Sequence, residues 1–183
     1  MFRITAALRS VCDITPTMLQ HFGIRGLLLD LDNTLTTHDN PRPAEGVLDW
    51  IAVMKENGIA MCIVSNNHPP RVKPFADLLG LPFVCEGKKP LSKGFREART
   101  VIGLPWKELA VVGDQIFTDV LGANLKRLKC IFVLHTSKLG FSGSNGEWKY
   151  HSFPVKFIKK RKEHNHEKCT GYPWAKPEFV GRT

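Results

Sequence analysis

The chain has 183 residues, of which 43% are hydrophobic and 23% charged, and its formal net charge is +9. These values favour a soluble, cytoplasmic globular domain with a tail, and they exclude a spanning helix, because no stretch approaches the roughly 18 to 20 apolar residues that such a helix needs. The five cysteines are widely spaced without a CxxC pair, so we expect neither a disulfide framework nor a zinc site.

From residue 15 to residue 134, short apolar runs alternate with segments whose apolar residues are spaced as on one face of a helix. The apolar runs predict five strands, at 27–31, 59–64, 82–85, 109–112 and 130–134. The predicted helices begin at Pro16, Val47, Val72 and Leu91 and stop at Gly23, Asn57, Gly80 and Gly103, and a fifth lies within 118–128. Strands that alternate with helices form βαβ units. The sequence therefore predicts an α/β fold: a doubly wound, mainly parallel five-stranded sheet with helices on both faces.

The alternation ends after His135, which divides the chain into two parts. Residues 137–146 are rich in Ser and Gly and predict a loop. Residues 151–183 carry eight Lys or Arg and three Glu, so they contribute +5 to the net charge of +9. We expect a domain over 1–150 and a basic C-terminal tail over 151–183.

Acidic and polar side chains follow the ends of the predicted strands. In chain order they are Asp30 and Asp32, then Ser65 and Asn66, then Lys89, then Asp114, with Asp119 one turn further on. Ligands of open α/β sheets bind beyond the carboxyl ends of the strands, so we expect these side chains at one edge. Carboxylates beside a hydroxyl and a lysine suit Mg²⁺ and a substrate phosphate. A carboxylate can also attack phosphorus, and Asp30 is the candidate nucleophile.

Several of these residues also have a simpler interpretation. Asp30 and Asp32 alone are compatible with a strand-end turn, and Asp119 with the cap of the helix that it begins. Asn66 could merely shape its loop, and Lys88 could be a solvated neighbour rather than a ligand. The sequence leaves these alternatives open one residue at a time, but their combination at one edge favours a reaction site.

Four segments in this order resemble the motifs of the haloacid dehalogenase-like (HAD) phosphatases. They are DLDNTLT (30–36), IVSNN (63–67), KKP (88–90) and VGDQIFTD (112–119). Within that superfamily the arrangement is similar to the capless YqeG-like phosphatases, a group related to the phosphatidylglycerophosphate phosphatases. The resemblance covers roughly residues 10–135 and implies the HAD-like Rossmannoid fold.

The resemblance also implies a role for each matched residue. Asp30 would be the nucleophile, and Asp32 the general acid that later activates water. An acid at position 32 favours a phosphatase over the dehalogenases and ATPases of the superfamily, which lack it. The phosphate-binding residues would be Ser65 and Lys89, with Asn66 as a further candidate, and the Mg²⁺ ligands would be Asp30, Asp32 through its main-chain carbonyl, Asp114 and Asp119.

The spacing of the motifs bears on the substrate. One predicted helix and one predicted strand fill each of the two segments where this superfamily inserts a cap, which leaves no room for a domain of more than ~40 residues. The site should therefore be open to a phosphate on a large molecule or a lipid headgroup. Phosphatidylglycerophosphate is the leading substrate. An alternative substrate is a soluble cytosolic phosphate ester. An alternative function is that of a non-catalytic protein of the same fold that docks on a membrane or RNA.

The basic tail bears on partners and localisation. Residues 153–162 interleave apolar and basic side chains, as in a segment that lies on an anionic membrane, so the protein could be peripheral to a membrane. The alternative is a helix that packs its apolar residues on the domain. Nucleic acid is not expected, because no aromatic residues cluster with the basic ones on a predicted strand surface. The oligomeric state does not follow from the sequence.

Overall fold

A computed structural model of the chain describes residues 3–37, 40–134, 139–140 and 149–150. Within this part of the chain the central sheet has six strands: β1 (Ala6–Leu8), β2 (Gly26–Leu29), β3 (Ala60–Val64), β4 (Phe83–Val84), β5 (Leu109–Gly113) and β6 (Lys129–Val133). Their order is β1-β6-β5-β2-β3-β4, and every neighbouring pair is parallel. All carboxyl ends therefore lie at the same edge of the sheet.

Five α-helices connect the strands, as the helical spacing predicts. They are α1 (Pro16–His21), α2 (Val47–Glu56), α3 (Pro69–Leu79), α4 (Ser92–Ile102) and α5 (Leu121–Leu125), and a π-helical turn at Ile116–Val120 precedes α5. The Thr15 side chain caps α1 by accepting a hydrogen bond from the Met18 N–H. Gly80 and Gly103 end α3 and α4 with positive φ angles, which glycine adopts without a steric penalty.

Alternate residues of the strands face two separate layers of helices. Leu27 and Leu29 of β2 pack in a cluster with side chains of α1, α2 and α3, whereas Leu28 packs on the other face with α4 and α5. The second cluster includes Cys62 and Cys130, and burial raises the pKa of both thiols to about 12. These two cysteines act as small apolar residues. The predicted α/β fold with both faces covered is confirmed.

The structure adds elements that the sequence pattern does not predict. The sheet has six strands rather than five, because Ala6–Leu8 pairs with β6 at its edge. Three residues are too few for alternation to stand out from a loop. β7 (Leu139–Gly140) lies within the segment 137–146 that is predicted as a loop, and it pairs antiparallel with β8 (Lys149–Tyr150), which follows that segment. The tail, including residues 153–162, lies outside the described residues.

No cap domain is present in the described residues. The chain runs from β2 through α2 to β3, and from β3 through α3 to β4, without a further domain at either place. None of the helices in the described residues has the length and the apolar character that crossing a membrane requires.

One close backbone contact fixes the loop between β4 and α4. The Gly94 N–H, in the first turn of α4, donates to the Gly87 carbonyl oxygen at 3.0 Å. A Cβ at position 94 would lie 2.7 Å from both the Cα and the carbonyl oxygen of Gly87, so a side chain cannot fit. The segment that follows Gly87 carries Lys89, and the contact therefore sets the position of that lysine.

The substitution Gly94→Ala tests this contact. We expect it to lower the free energy of unfolding by about 1 to 3 kcal/mol, because the backbone of the loop must move to admit the methyl group. Urea unfolding measures the change. The control Lys93→Ala, on the exposed side of the same helical turn, should stay within about 0.5 kcal/mol of wild type. A Gly94→Ala protein as stable as the control would contradict the tight packing.

Candidate active site

The candidate site begins where β2 ends between its two neighbours. The Asp30 N–H donates to the Val112 carbonyl oxygen at 2.8 Å, so Asp30 continues the β2–β5 ladder by one residue. β3 lies on the other side of β2 and ends immediately before Ser65. Asp30 and Ser65 are both buried. The parallel order of the strands thus brings the residues that follow β2, β3 and β5 to one edge, as predicted.

A buried lysine joins two of the aspartates. The Lys89 Nζ donates to Asp30 Oδ1 at 2.5 Å and to Asp119 Oδ1 at 2.8 Å. Burial alone would lower the pKa of Lys89, but the two carboxylates outweigh burial and raise it, so the side chain is a cation. For Asp30, burial is the largest effect and raises the pKa to about 6, although the charge of Lys89 opposes it.

Three buried carboxylates form a possible cation site. Asp30, Asp114 and Asp119 each offer an oxygen, and these oxygens all lie within 4.8 Å of one another. With Lys89 the ionised cluster would carry a net charge of −2, which is costly away from water unless a cation balances it. An all-oxygen donor set suits a hard divalent cation. The residues present therefore fit the Mg²⁺ that the sequence resemblance implies.

The backbone around Asp119 accounts for its burial. A Cβ on Gly113, the last residue of β5, would collide with the Asp119 carboxylate, so only glycine leaves that space. Asp119 Oδ2 accepts a hydrogen bond from the Gln115 N–H at 3.2 Å, while Oδ1 accepts from Lys89. Asp119 lies within the π-helical turn rather than at its N-cap, which is Gln115, so the interpretation of Asp119 as a helix cap is wrong. One carboxylate oxygen bonds to the Gln115 N–H and the other faces the cluster, and the role of Asp119 as a metal ligand stays a prediction.

Asp32 lies beside the cluster but has different partners. Its Oδ1 accepts a hydrogen bond from Arg71 Nη2 at 2.7 Å, and its Oδ2 accepts one from Asn67 Nδ2. The Asp32 side chain is not among the carboxylates that converge, and the expected contribution of its main-chain carbonyl to the metal site stays a prediction. Its carboxylate is therefore separate from the acids that could hold a cation.

Ser65 and Asn66, the two residues after β3, make different kinds of hydrogen bond. Ser65 Oγ accepts a hydrogen bond from the Asn67 N–H at 3.1 Å, which leaves the hydroxyl proton for another acceptor. The Asn66 amide bonds to the main chain of Lys89: Oδ1 accepts from the Lys89 N–H at 2.7 Å and Nδ2 donates to the Lys89 carbonyl oxygen at 3.1 Å. The side chain of Asn66 thus positions Lys89, and its expected contact with phosphate stays a prediction.

The loop after Asp32 borders a small cleft. Asn33 has a φ of 59°, as a turn former would, and the buried Oγ1 of Thr34 has no hydrogen-bond partner among the described residues. Both residues line a cleft of about 130 Å³, whose lining also includes Arg9 and Ser10. The two residues that follow Asp32 in the DLDNT motif therefore face this cleft.

Comparisons with known proteins identify the family. The sequence profile of the haloacid dehalogenase-like hydrolases matches residues 20–125. The chain belongs to this family. It is 40% identical over 126 residues to the probable phosphatase YqeG of Bacillus subtilis, covering 69% of this chain and 73% of YqeG. It is also 32% identical over 120 residues to the mitochondrial phosphatidylglycerophosphatase GEP4 of Saccharomyces cerevisiae, covering 57% of this chain and 64% of GEP4.

A solved structure agrees on the fold. The chain is similar to an uncharacterized protein from Listeria monocytogenes serotype 4b, with a TM-score of 0.52 and 16% identity, over 66% of this chain and 88% of that one. The predicted membership of the HAD phosphatases is confirmed by the family match, and so is the prediction that this protein is an enzyme of the HAD phosphatase type.

One charged residue of this HAD site was not predicted. Arg71 stands in the first turn of α3 and reaches Asp32, but its sequence context shows only a basic residue near a helix start. The amide of Asn67, the last residue of the IVSNN motif (63–67), also reaches Asp32, and the motif does not predict this contact. The one available signal was that both follow the polar end of β3, which points to the ligand-binding edge without indicating a partner.

The substitution Lys89→Met tests the charge balance of the site. We expect it to lower the free energy of unfolding by about 3 to 5 kcal/mol when a chelator is present, because the buried carboxylates of Asp30 and Asp119 then lose the lysine ammonium that balances their charge. Lys88→Met is the matched control, since Lys88 is the exposed neighbour, and it should change stability by less than about 0.5 kcal/mol. Equal effects of the two substitutions in urea unfolding would show that Lys89 does not balance the cluster.

Proposed function

We propose that the protein is a Mg²⁺-dependent phosphomonoester phosphatase that acts through an aspartyl-phosphate at Asp30. The observation that carries this proposal is the buried cluster at the carboxyl edge of the sheet, in which Lys89 touches Asp30 while Asp114 and Asp119 stand within cation-binding reach. Burial of three carboxylates costs free energy because they lose their contact with water, and a catalytic role explains why the fold retains them.

Asp30 and Asp32 divide the reaction between them. An oxygen of Asp30 attacks phosphorus, the bond from phosphorus to the ester oxygen breaks, and that oxygen takes a proton from Asp32. The Asp32 carboxylate then takes a proton from water, whose oxygen attacks the phosphorus and releases inorganic phosphate and Asp30. The separate partners of the two aspartates support these separate roles.

The remaining residues hold the phosphoryl group and the metal. Ser65 donates its hydroxyl proton to a phosphoryl oxygen, and Lys89 supplies positive charge where negative charge develops. Asn66 supports the phosphate site by fixing the main chain of Lys89. Asp30, Asp114, Asp119 and the Asp32 main-chain carbonyl would hold Mg²⁺, which would offset the negative charge of the acids and of the phosphate.

We propose phosphatidylglycerophosphate as the substrate. Its support is the similarity to GEP4, whose name gives that activity, together with the absence of a cap over the described site. An open site admits a phosphate at a membrane surface. The basic segment 153–162 of the proposed tail, 151–183, would provide peripheral contact with an anionic membrane, and the protein would otherwise be cytoplasmic.

Two other functions remain as alternatives. A soluble cytosolic phosphate ester would fit the same catalytic residues. A non-catalytic protein that docks on a membrane or RNA would have no use for Asp32 held beside a buried cation site. The intact set of acids therefore favours catalysis over docking.

A panel of phosphate esters, including micellar phosphatidylglycerophosphate, tests both the chemistry and the substrate. We expect turnover with Mg²⁺, loss of turnover with a chelator, and a loss of at least ~10³-fold in Asp30→Asn, because the nucleophile is gone. Asp77→Asn is the control, since Asp77 is an exposed residue of α3 that pairs with Lys73 on the surface of the helix. Full activity of Asp30→Asn would contradict the mechanism, whereas a strong preference for a soluble ester would contradict only the assignment of a lipid substrate.

Magnesium binding should depend on pH through Asp30. Burial raises the pKa of Asp30 from 3.8 to about 6, so between these values the folded protein keeps a proton that the unfolded chain has lost. The stability from this group therefore falls as pH rises through that window. A divalent cation replaces the proton, and we expect Mg²⁺ to raise Tm more above pH 6 than below it. A Mg²⁺ effect on Tm that is equal on both sides of that pH would contradict this coupling.

A further inference from the structure

Both carboxylate oxygens of Asp32 are held by side chains from the region after β3. Arg71 Nη2 donates to Oδ1 at 2.7 Å and Asn67 Nδ2 donates to Oδ2. Two donors on two different oxygens fix both the place of the carboxylate and its rotation. Asp32 itself follows β2, so this contact ties the loop after one strand to the helix after the next.

Arg71 is itself fixed at three points. Its Nη1 donates to the Asn40 carbonyl oxygen at 3.0 Å, its Nη2 donates to Asp32, and its guanidinium lies 5.9 Å from the centre of the Phe75 ring. Phe75 is buried and lies one turn further along α3. A guanidinium held on two edges and one face has little freedom to take another position.

The exposure of this ion pair sets it apart from an ordinary surface pair. The side chains of Arg71 and Asp32 are 24% and 10% exposed, whereas Lys73 and Asp77, a pair on the same helix, are 62% and 59% exposed. Exposed pairs form and break with little effect because water competes for both charges. The Arg71–Asp32 pair is mostly removed from that competition, so it can hold a geometry.

We propose that Arg71 is the positioning residue for Asp32, and that it holds this carboxylate where it meets the leaving oxygen of the substrate. This role rests on the proposed function of Asp32 as general acid and base. Asn67 assists from the other oxygen, and the Asn40 carbonyl keeps Arg71 in place. Without Arg71 the carboxylate has one donor left, and its distance to the leaving oxygen is no longer set.

The role predicts a dependence on the leaving group. General-acid catalysis matters for an alkyl ester, whose leaving oxygen needs a proton as the bond to phosphorus breaks. It matters little for p-nitrophenyl phosphate, because p-nitrophenolate is stable without that proton. A residue that acts only through the position of Asp32 should therefore affect the first ester and spare the second.

The test compares kcat/KM for glycerol 3-phosphate and for p-nitrophenyl phosphate, since kcat/KM covers the step in which the ester bond breaks. Arg71→Gln should lose at least ~10-fold on glycerol 3-phosphate and less than ~3-fold on p-nitrophenyl phosphate. Asp32→Asn should show the same pattern, and the double variant should lose no more than Asp32→Asn alone. Arg71→Lys should recover part of the loss, and Lys73→Gln should match wild type on both esters.

Thermal unfolding of each variant separates positioning from folding. Equal losses on the two esters, with a lower Tm for Arg71→Gln, would show that Arg71 only stabilises the fold and would overturn the proposal. No loss on either ester would also overturn it. If Asp30→Asn stays active, or if wild type hydrolyses neither of these esters nor phosphatidylglycerophosphate, the proposed function itself fails and this role fails with it. If wild type turns over phosphatidylglycerophosphate but not glycerol 3-phosphate, the lipid is the alkyl ester of the comparison. An Arg71→Gln loss confined to the alkyl ester supports the role.

Discussion

The contact between the buried ammonium of Lys89 and the carboxylates of Asp30 and Asp119 is the interaction on which the site depends. Each of these charges would be unstable alone in the protein interior, and each is acceptable because the others are present. The excess of negative charge that remains suits a cation, and in the proposed mechanism that cation would offset the charge of a bound phosphate. The same electrostatic arrangement therefore accounts for the burial of these side chains, the proposed metal binding and the chemistry proposed at Asp30.

The fold enforces this contact through places where a side chain would not fit. Gly113 makes room for the Asp119 carboxylate at the end of β5, and Gly94 lets α4 approach the loop that carries Lys89. The Asn66 amide then fixes the main chain of Lys89 from the side of β3. Contacts from three neighbouring elements thus position the Lys89 side chain, and the two carboxylates that it meets there keep it charged despite its burial.

Much of this arrangement could be predicted from the sequence, because its signals are local. Apolar runs mark the buried strands, and the polar residues that end them share one edge once the strands are parallel. The strand Ala6–Leu8 and the contact of Arg71 with Asp32 could not be predicted in this way. The first is too short to show a period. The second joins residues far apart in the chain, and the packing of the first turn of α3 determines which side chain Arg71 reaches.

The most direct measurement of the central claim is the site of phosphorylation during turnover. The enzyme is mixed with substrate and Mg²⁺, quenched in acid within a single turnover, digested and analysed by mass spectrometry. The account predicts one phosphoryl group on the peptide that contains Asp30, which is absent from Asp30→Asn and lost as inorganic phosphate forms. Turnover without any phosphorylated peptide, or a phosphoryl group on a different residue, would contradict it.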